Sequence, residues 1–591
     1  MRNASSAQRH LRRIRGRILV LAFLLGLAAT LILARLIRYQ ILLGDSIRQQ
    51  ARSQQEGVIE ILPARGAIYD ARGRELALSV QVDSLYVDPS RFADRAKEIR
   101  QISRILGISP GTIRTRINRG GSRFAWISRQ LSPQIRGRIE KLGLAATGFL
   151  PESKRFFPNR NLASHVLGYV GIDNKGLAGL EYGFNSKIQG KPGHRFAYRD
   201  ARGVKIPMEI DQPATEGRSL VITLDKVIQH IVEKELSSAV RKTGARAGMA
   251  VLMDPDRGTI LALANQPTFD PNRFASFPEA HRRNRAVTDC FEPGSTFKVF
   301  TYAAAWQDRL IRDGEKIDCL RGSIRIAGRT IRDHHPYDLL TPGEILAHSS
   351  NVGAILIGQR IPNIQFYRFL SSFGFGAPSG INLPGEHSGI LHPPGQWSRT
   401  SAASLAIGHE VCVNAVQMTA SLTALINGGI LRTPRIVRAI LDENGYLLEE
   451  FAPAEGIQVV QPETSRQLRK VMQLVVETGT GKAARLAKFT VGGKTGTAQK
   501  SFKDTGYSST LFVSSFFGFA PVSRPAIALL IVLDEPKGKT DGGDVAAPVF
   551  ARIAPKVLHY LRIPPDQGAR HRTEFLASTG QRWAPSRAAS R

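Results

Sequence analysis

The apolar positions of this chain change period several times. From Ile18 to Ala34 the residues are uncharged and mostly Leu, Ile, Val and Ala, at the short end of what a membrane-spanning helix requires. Arg2, Arg9, Arg12, Arg13, Arg15 and Arg17 precede this run, and Arg35, Arg38, Arg48 and Arg52 follow it. The excess in front favours a cytoplasmic N-terminus. A cleaved signal peptide would have a shorter apolar core and an Ala-x-Ala site, which the run lacks. It therefore reads as a single uncleaved anchor, with the rest of the chain outside the cytoplasm.

Between residues 45 and about 220 no single period holds. Arg65 to Gly73 reads as strand, turn, strand, with the bend at Ala71-Arg72-Gly73. Ser103 to Arg119 carries helical spacing through Ile105, Leu106, Ile108, Ile113 and Ile117. From Asp225 the texture changes. Val227, Ile228, Ile231, Val232, Leu236, Ala239 and Val240 fall on one helical face. Two strands follow, Met249 to Met253 and Thr259 to Ala264, joined by the turn sequence Asp254-Pro255-Asp256-Arg257-Gly258. A buried helix is predicted from near Ser295, through Phe297, Phe300, Thr301 and Ala304. Another runs from Asn414 to Ile426, capped by Asn414 with Gln417 in the capping-box position. Late strands are Phe489 to Gln499, Leu511 to Phe519 and Ala526 to Leu533. An antiparallel sheet drawn from both ends of the domain, packed with helices from its middle, is an α+β fold. The tail from Pro564 is poor in apolar residues and rich in arginine, so it is expected to be disordered.

The formal charge of +32, from 81 basic and 49 acidic residues, invites a nucleic-acid reading. The basic residues are spread along the chain, with no zinc-finger spacing, no RNP aromatic motif and no basic zipper. An extracytoplasmic location removes nucleic acid as a partner and leaves an anionic membrane or polymer. Cys290, Cys319 and Cys412 show no metal spacing, and Cys290 reads as a packed thiol. No metal or cofactor is implied.

The chemistry concentrates in Glu292-Pro293-Gly294-Ser295-Thr296-Phe297-Lys298. On a helix, residues three apart are neighbours, so Ser295 and Lys298 can bring hydroxyl and amine together. A desolvated lysine can take the proton of a serine nucleophile. Downstream stand Ser349-Ser350-Asn351, after a predicted helix from Thr341 to His348, and Lys494-Thr495-Gly496-Thr497 in a late strand. Ser-x-x-Lys, Ser-x-Asn and Lys-Thr-Gly in this order resemble the motif set of acyl-serine enzymes. Ser295 would be the nucleophile and Lys298 the general base, its amine made neutral by burial and a neighbouring cation. Lys494 could be that cation, with Ser349 a proton relay and Asn351 a relay or substrate contact. Thr495 and Thr497 could hold a carboxylate, with Gly496 leaving the backbone open to substrate. The backbone N–H of Ser295 is a natural oxyanion donor. His348 reads as a helix-end residue. Gly493-Lys494-Thr495 lacks the upstream glycine of a phosphate loop, where Lys488 stands. His409-Glu410 lacks the second histidine of a zinc protease, where Val413 stands.

At these residues the chain resembles a class B penicillin-binding protein, a membrane-anchored peptidoglycan D,D-transpeptidase. Three further segments resemble the motifs of that family's non-catalytic pedestal: Arg65-Gly66…Asp70…Gly73, then Arg155…Pro158…His165…Gly168, then Gly176…Gly179…Glu181. One departure is Ala71-Arg72-Gly73, which places the arginine one position late. Lys494 to Lys500, Ser515 to Pro521, Asp534 to Lys537 and Ala546 to Phe550 are similar to the cell-division (FtsI) type rather than the elongation type. The resemblance implies a penicillin-binding fold on an extended pedestal. Its divisions would be a cytoplasmic tail (1–17), an anchor (18–37), a pedestal (38–224), a transpeptidase domain (225–563) and the basic tail (564–591). It implies acylation of Ser295 by the D-Ala-D-Ala end of a stem peptide and release of the terminal D-Ala. An amine then completes the cross-link. β-Lactams would acylate the same serine, and the partners would be an FtsW-type membrane glycosyltransferase and other division proteins. Besides an elongation-type transpeptidase, two alternatives remain, a β-lactamase, carboxypeptidase or β-lactam sensor and a catalytically silent scaffold. The first needs a deacylating base that the sequence does not identify.

Overall fold

The computed structural model describes residues 4–39, 56–120, 124–199, 205–453, 455–502 and 506–567. These fall in two compact units, Met1–Pro63 with Lys191–Thr215, and Ala64–Gly190 with Glu216–Arg591. In the first unit, helix α1 (Ala4–Ile37) contains the stretch Arg15–Ile37, with a mean hydropathy of 2.5 and no buried part. By length and composition it can cross a membrane. The strands Glu56–Ile61, Gly193–Arg199 and Lys205–Gln212 form an antiparallel sheet in that order.

The second unit begins with the hairpin β1 (Ile68–Tyr69) and β2 (Glu75–Val87). Its turn is held by Asp70, whose Oδ1 accepts from Arg72 N at 2.9 Å and Arg74 N at 2.8 Å. Strands β3 (Ala125–Leu131) and β4 (Thr147–Phe156) flank β2. The helical spacing read over 103–119 belongs to two helices, Arg95–Leu106 and Pro110–Arg119. Gly107, at φ +67°, closes the first, and the Ser109 side chain with Pro110 opens the second. A periodic apolar pattern persists across such a break because both helices bury Ile residues against the same core.

The three pedestal segments meet at one buried carboxylate. Glu181 accepts from Arg65 Nε at 2.9 Å and from Arg155 Nε at 2.6 Å. The late arginine also finds a partner: Arg72 Nε lies 2.9 Å from Asp225 Oδ2, and Arg74 reaches the other oxygen at 2.9 Å. Asp225 is the N-cap of helix α2 (Lys226–Thr243), accepting from Val227 N at 2.8 Å. Strand β5 (Ser219–Ile222) pairs in parallel with β1.

Strands β6 (Ala247–Met253) and β7 (Ile260–Gln266) form the expected hairpin. Helices α3 (Lys298–Gln307), α4 (Pro342–His348), α5 (Asn351–Gly358) and α6 (Ala415–Ile426) come from the middle of the chain. Strand β8 (Val437–Leu441), helix α7 (Pro462–Glu477), strands β9 (Gly492–Phe502), β10 (Gly506–Ala520) and β11 (Ile527–Asp534), and helix α8 (Ala547–Tyr560) follow. The five-stranded sheet has the order β7-β6-β11-β10-β9 and is antiparallel throughout. Alternation along its strands divides the core in two. Ala250, Leu252, Leu529 and Ile531 pack with α2 and α8, while Val251, Met253, Leu530 and Val532 pack with α3, α6 and α7. A second sheet of seven strands joins Leu447–Glu450, β8, β5, β1, β2 and β3, with β4 also on β2.

Two expectations change here. Asn414 caps α6 by accepting from Gln417 N at 2.7 Å, but the Gln417 side chain does not return to the cap. Its Nε2 donates instead to the carbonyls of Gly374 and Ala377, at 2.8 and 2.9 Å. The buried amide thus finds its acceptors in the loop ahead of α6 rather than at the cap. The start of the basic tail is docked: Asp566 accepts from Thr490 N at 2.7 Å. The rest of the tail lies outside the described residues.

Candidate active site

Ser295 sits in a single 3₁₀ turn, Gly294–Thr296, that leads into α3. The strand-like approach is anchored by an exchange of backbone bonds between Phe291 and Val413, each 3.0 Å. Cys290 is not a free thiol. It is disulfide-bonded to Cys412, 122 residues away, so a covalent link backs the same pairing. Gly294 N donates to Gly408 O at 3.0 Å, and a side chain at Gly408 (φ +83°) would collide with the Gly294 carbonyl. The turn bearing Ser295 is thus pressed onto the loop before α6. Ser295 itself is half-buried, open on one side.

One turn into the protein, Lys298 is completely buried. Its Nζ donates to Ser349 O at 2.6 Å and to Asn351 Oδ1 at 2.7 Å, with Ser349 Oγ at 3.3 Å. Burial pulls its pKa down to about 7, with the Asp333 carboxylate pulling weakly the other way. A neutral amine has two N–H bonds and one lone pair. The two nearest acceptors can take both N–H bonds, and the Ser349 hydroxyl, the third contact, is placed to exchange a proton with the lone pair. Lys494, also fully buried, donates to Ser349 Oγ at 2.8 Å and to Thr495 O at 3.0 Å. Burial, and then the neighbouring Lys298, holds its pKa well below the usual lysine range. The Ser349 hydroxyl therefore lies between two amines that cannot both stay charged cheaply.

Ser349 reaches that position through an unusual backbone. It ends α4 in the left-handed region, at φ +59°, a conformation costing a non-glycine residue about 1–3 kcal/mol. What holds it is Asp333, a residue the motifs do not reveal. Asp333 Oδ2 accepts from Ser350 Oγ at 2.6 Å, and Oδ1 accepts from Val352 N at 3.1 Å and from Asn351 N. These bonds satisfy the first amides of α5 and fix the turn carrying Ser349 and Asn351. His348 ends α4 and stacks on Tyr337, centroids 5.4 Å apart.

The Lys-Thr-Gly-Thr segment lies on β9, the last strand of its sheet. Thr495 is buried and shares a 2.7 Å hydroxyl bond with Thr480, at the end of the α7 region, while Thr497 accepts from Gly542 N at 3.1 Å. Gly496 differs from expectation. Its Cβ side is not open to a ligand: an added carbon would strike Ser515 Oγ, Pro293 O and Thr296 Cγ2. The glycine is required because the Ser295 turn packs against β9 there. The structure brings Lys298, Ser349, Asn351 and Lys494 into one hydrogen-bonded cluster, and sets the Ser295 turn against the strand carrying Thr495 to Thr497.

Residues 248–554 match the family described as the penicillin-binding protein transpeptidase domain. The chain belongs to that family. Residues 60–222 match the penicillin-binding protein dimerisation domain, the second module of such proteins. The chain is 33% identical to stage V sporulation protein D of Bacillus subtilis, over 93% of this chain and 86% of that one. It is 30% identical to peptidoglycan D,D-transpeptidase FtsI of Escherichia coli, over 95% and 94% respectively. Among solved structures it is similar to penicillin-binding protein 3 of Mycobacterium tuberculosis in complex with aztreonam. That likeness has a TM-score of 0.68 at 27% identity, covering 86% of this chain and 98% of that one. In this penicillin-binding protein sequence reasoning missed Asp333 and Thr480, which reach the site only by folding, and the contacts of Glu292. Glu292 accepts from Tyr507 OH and Glu410 N, each at 3.1 Å, and pairs with His409 at 2.8 Å. Its position three residues before Ser295 was the only available signal.

Proposed function

We propose that this chain is a serine-type peptidoglycan D,D-transpeptidase acting in septal wall synthesis. The observation that carries the reading is the buried Lys298, one helical turn from Ser295, bonded to Ser349 and Asn351 and held near neutrality by burial. Ser295 Oγ attacks the carbonyl of the penultimate D-Ala, and its proton passes to Lys298. The N–H of Ser295, among the unpaired first amides of a helical turn, stabilises the oxyanion. The tetrahedral intermediate then expels D-Ala, whose amine takes a proton through Ser349, hydrogen-bonded to both lysines. An acceptor amine repeats the sequence in reverse and forms the cross-link. The outer edge of β9 carries no strand partner among the described residues, so a stem peptide can pair along it as an added strand. Thr497 is the proposed contact for the terminal carboxylate, and Lys494 holds the Ser349 relay in place through its bond to the hydroxyl.

The septal assignment rests on similarity to the Escherichia coli transpeptidase along nearly the whole chain. The apolar helix anchors the protein in the membrane. A cytoplasmic N-terminus and an extracytoplasmic catalytic domain follow from the arginines before the anchor, and the Cys290–Cys412 disulfide suits an oxidising compartment. The glycan to be cross-linked comes from a separate polymerase, for which an FtsW-type membrane glycosyltransferase is the proposed partner. The test is labelling of the full-length protein with a fluorescent penicillin. Stable labelling that disappears in Ser295→Ala supports the transpeptidase. Rapid turnover of the label indicates a β-lactamase, and no labelling of folded protein indicates a scaffold.

A further inference from the structure

A cleft of about 830 Å³ opens along α2, and none of its lining residues belongs to the serine–lysine cluster. Lys226, His230, Lys234 and Arg241 line it from the helix, and Arg74 and Asn161 from the pedestal. With Ser237, which also lines the cleft, the helix positions are spaced by three or four residues, so they form one stripe. From Lys226 to Arg241 that stripe is roughly 22 Å long, at 1.5 Å per residue. Arg74 is neutralised by Asp70 and Asp225. Among the described residues no carboxylate pairs with Lys226, Lys234 or Arg241. The one acid in the wall does not compensate them. Glu233 turns inward, accepting from Ala163 N and Gln229 Nε2, each at 2.8 Å, and burial raises it to about 7. Unpaired cations along one wall of a concave surface repel one another and focus a positive potential into the cleft. A flat bilayer cannot follow a cleft of this shape, whereas a chain bearing spaced anionic groups can.

We propose that this cleft is a second, non-catalytic site that holds un-cross-linked peptidoglycan through the carboxylates of its stem peptides. The proposal rests on the transpeptidase reading, since a cross-linking enzyme meets strands that carry many such carboxylates. Held there, a strand would stay on the enzyme between successive cross-links.

The test uses the full-length protein with Ser295 blocked by penicillin, so that the catalytic cleft contributes nothing. Binding of labelled, soluble glycan strands with intact stem peptides is followed by fluorescence anisotropy at low and high salt. Lys234→Glu combined with Arg241→Glu should weaken binding at least tenfold at low salt and flatten the salt dependence. The Lys234→Gln/Arg241→Gln pair should fall between. Strands stripped of their stems should bind no better than the charge-reversed variant. Unchanged affinity in the reversal, equal binding of stripped strands, or tighter binding of poly(glycerol phosphate) than of stem-bearing strands would each overturn the proposal. Penicillin labelling of the same samples keeps the two readings apart. If Ser295 labels but strands do not bind, only the second site fails. If Ser295 does not label, the transpeptidase reading fails.

Discussion

The pH dependence of acylation tests the proton route most directly. At pH 7, a lysine at the ordinary value of 10.5 would be neutral in about 3 of 10,000 molecules, whereas Lys298, drawn to about 7 by burial, is neutral in about half. Burial thus raises the population of competent base about 1,500-fold, equivalent to roughly 5 kcal/mol of differential solvation at 1.36 kcal/mol per pKa unit. Between pH 6 and pH 8 the neutral fraction climbs from about 0.09 to about 0.9, so the acylation rate should rise about tenfold and then level off. The second-order rate of β-lactam acylation, measured by stopped-flow fluorescence from pH 5.5 to 9, should show one inflection near 7. Asp333→Asn should move that inflection to lower pH, because the carboxylate favours the charged amine. It should also slow acylation at every pH, by loosening the turn that carries Ser349. A flat profile would remove Lys298 from the base role. A rate still climbing tenfold per pH unit at pH 9 would mean that the lysine keeps its ordinary basicity, and the burial argument would fall.

Other perturbations have equally definite outcomes. Gly496→Ala should lower stability by about 1–3 kcal/mol, as overpacking does, and displace the Ser295 turn, read as a lower Tm together with slower penicillin labelling. Glu181→Ala leaves Arg65 and Arg155 buried without their carboxylate; a loss of about 3–5 kcal/mol in urea unfolding is expected, and an unchanged midpoint would show the network to be dispensable. Reducing Cys290–Cys412, or Cys290→Ser with Cys412→Ser, opens a long closed loop and should cost about 2–5 kcal/mol, measured by thermal unfolding with and without reductant. Ser349→Ala should depress acylation while the Lys298 inflection persists; an intact rate would remove the hydroxyl from the relay.

Local pattern carried much of the architecture. Asp225 before an apolar-periodic run, Asp254 to Gly258 between two strands, and Pro-Gly before Ser295 each specify an element through capping or turn chemistry that acts within a few residues. Interactions of that range are written in neighbouring letters, so the helices and strands near the site could be read directly. The ordered Ser-x-x-Lys, Ser-x-Asn and Lys-Thr-Gly motifs also declared themselves, because each is a short segment with its own backbone requirement. The helical pattern over 103–119 misled for the same reason: period reports the buried face, and two helices on one core share it.

Asp333 and Thr480 had no such signature. An aspartate that accepts from the amides of a helix start looks like any surface aspartate until the chain brings Ser350 and Asn351 to it. The pairing of Cys290 with Cys412, and the collision that makes Gly496 obligatory, likewise depend on segments far apart in the chain. So does the depressed basicity of Lys298, since only the packed interior removes water from the amine. Local stereochemistry and residue type were enough to read the apolar helix, the order of the elements and the candidate motifs directly from neighbouring residues. Which candidate side chains meet, how burial shifts their basicity and what holds them in place came only with the fold, because burial and long-range contacts set those energies.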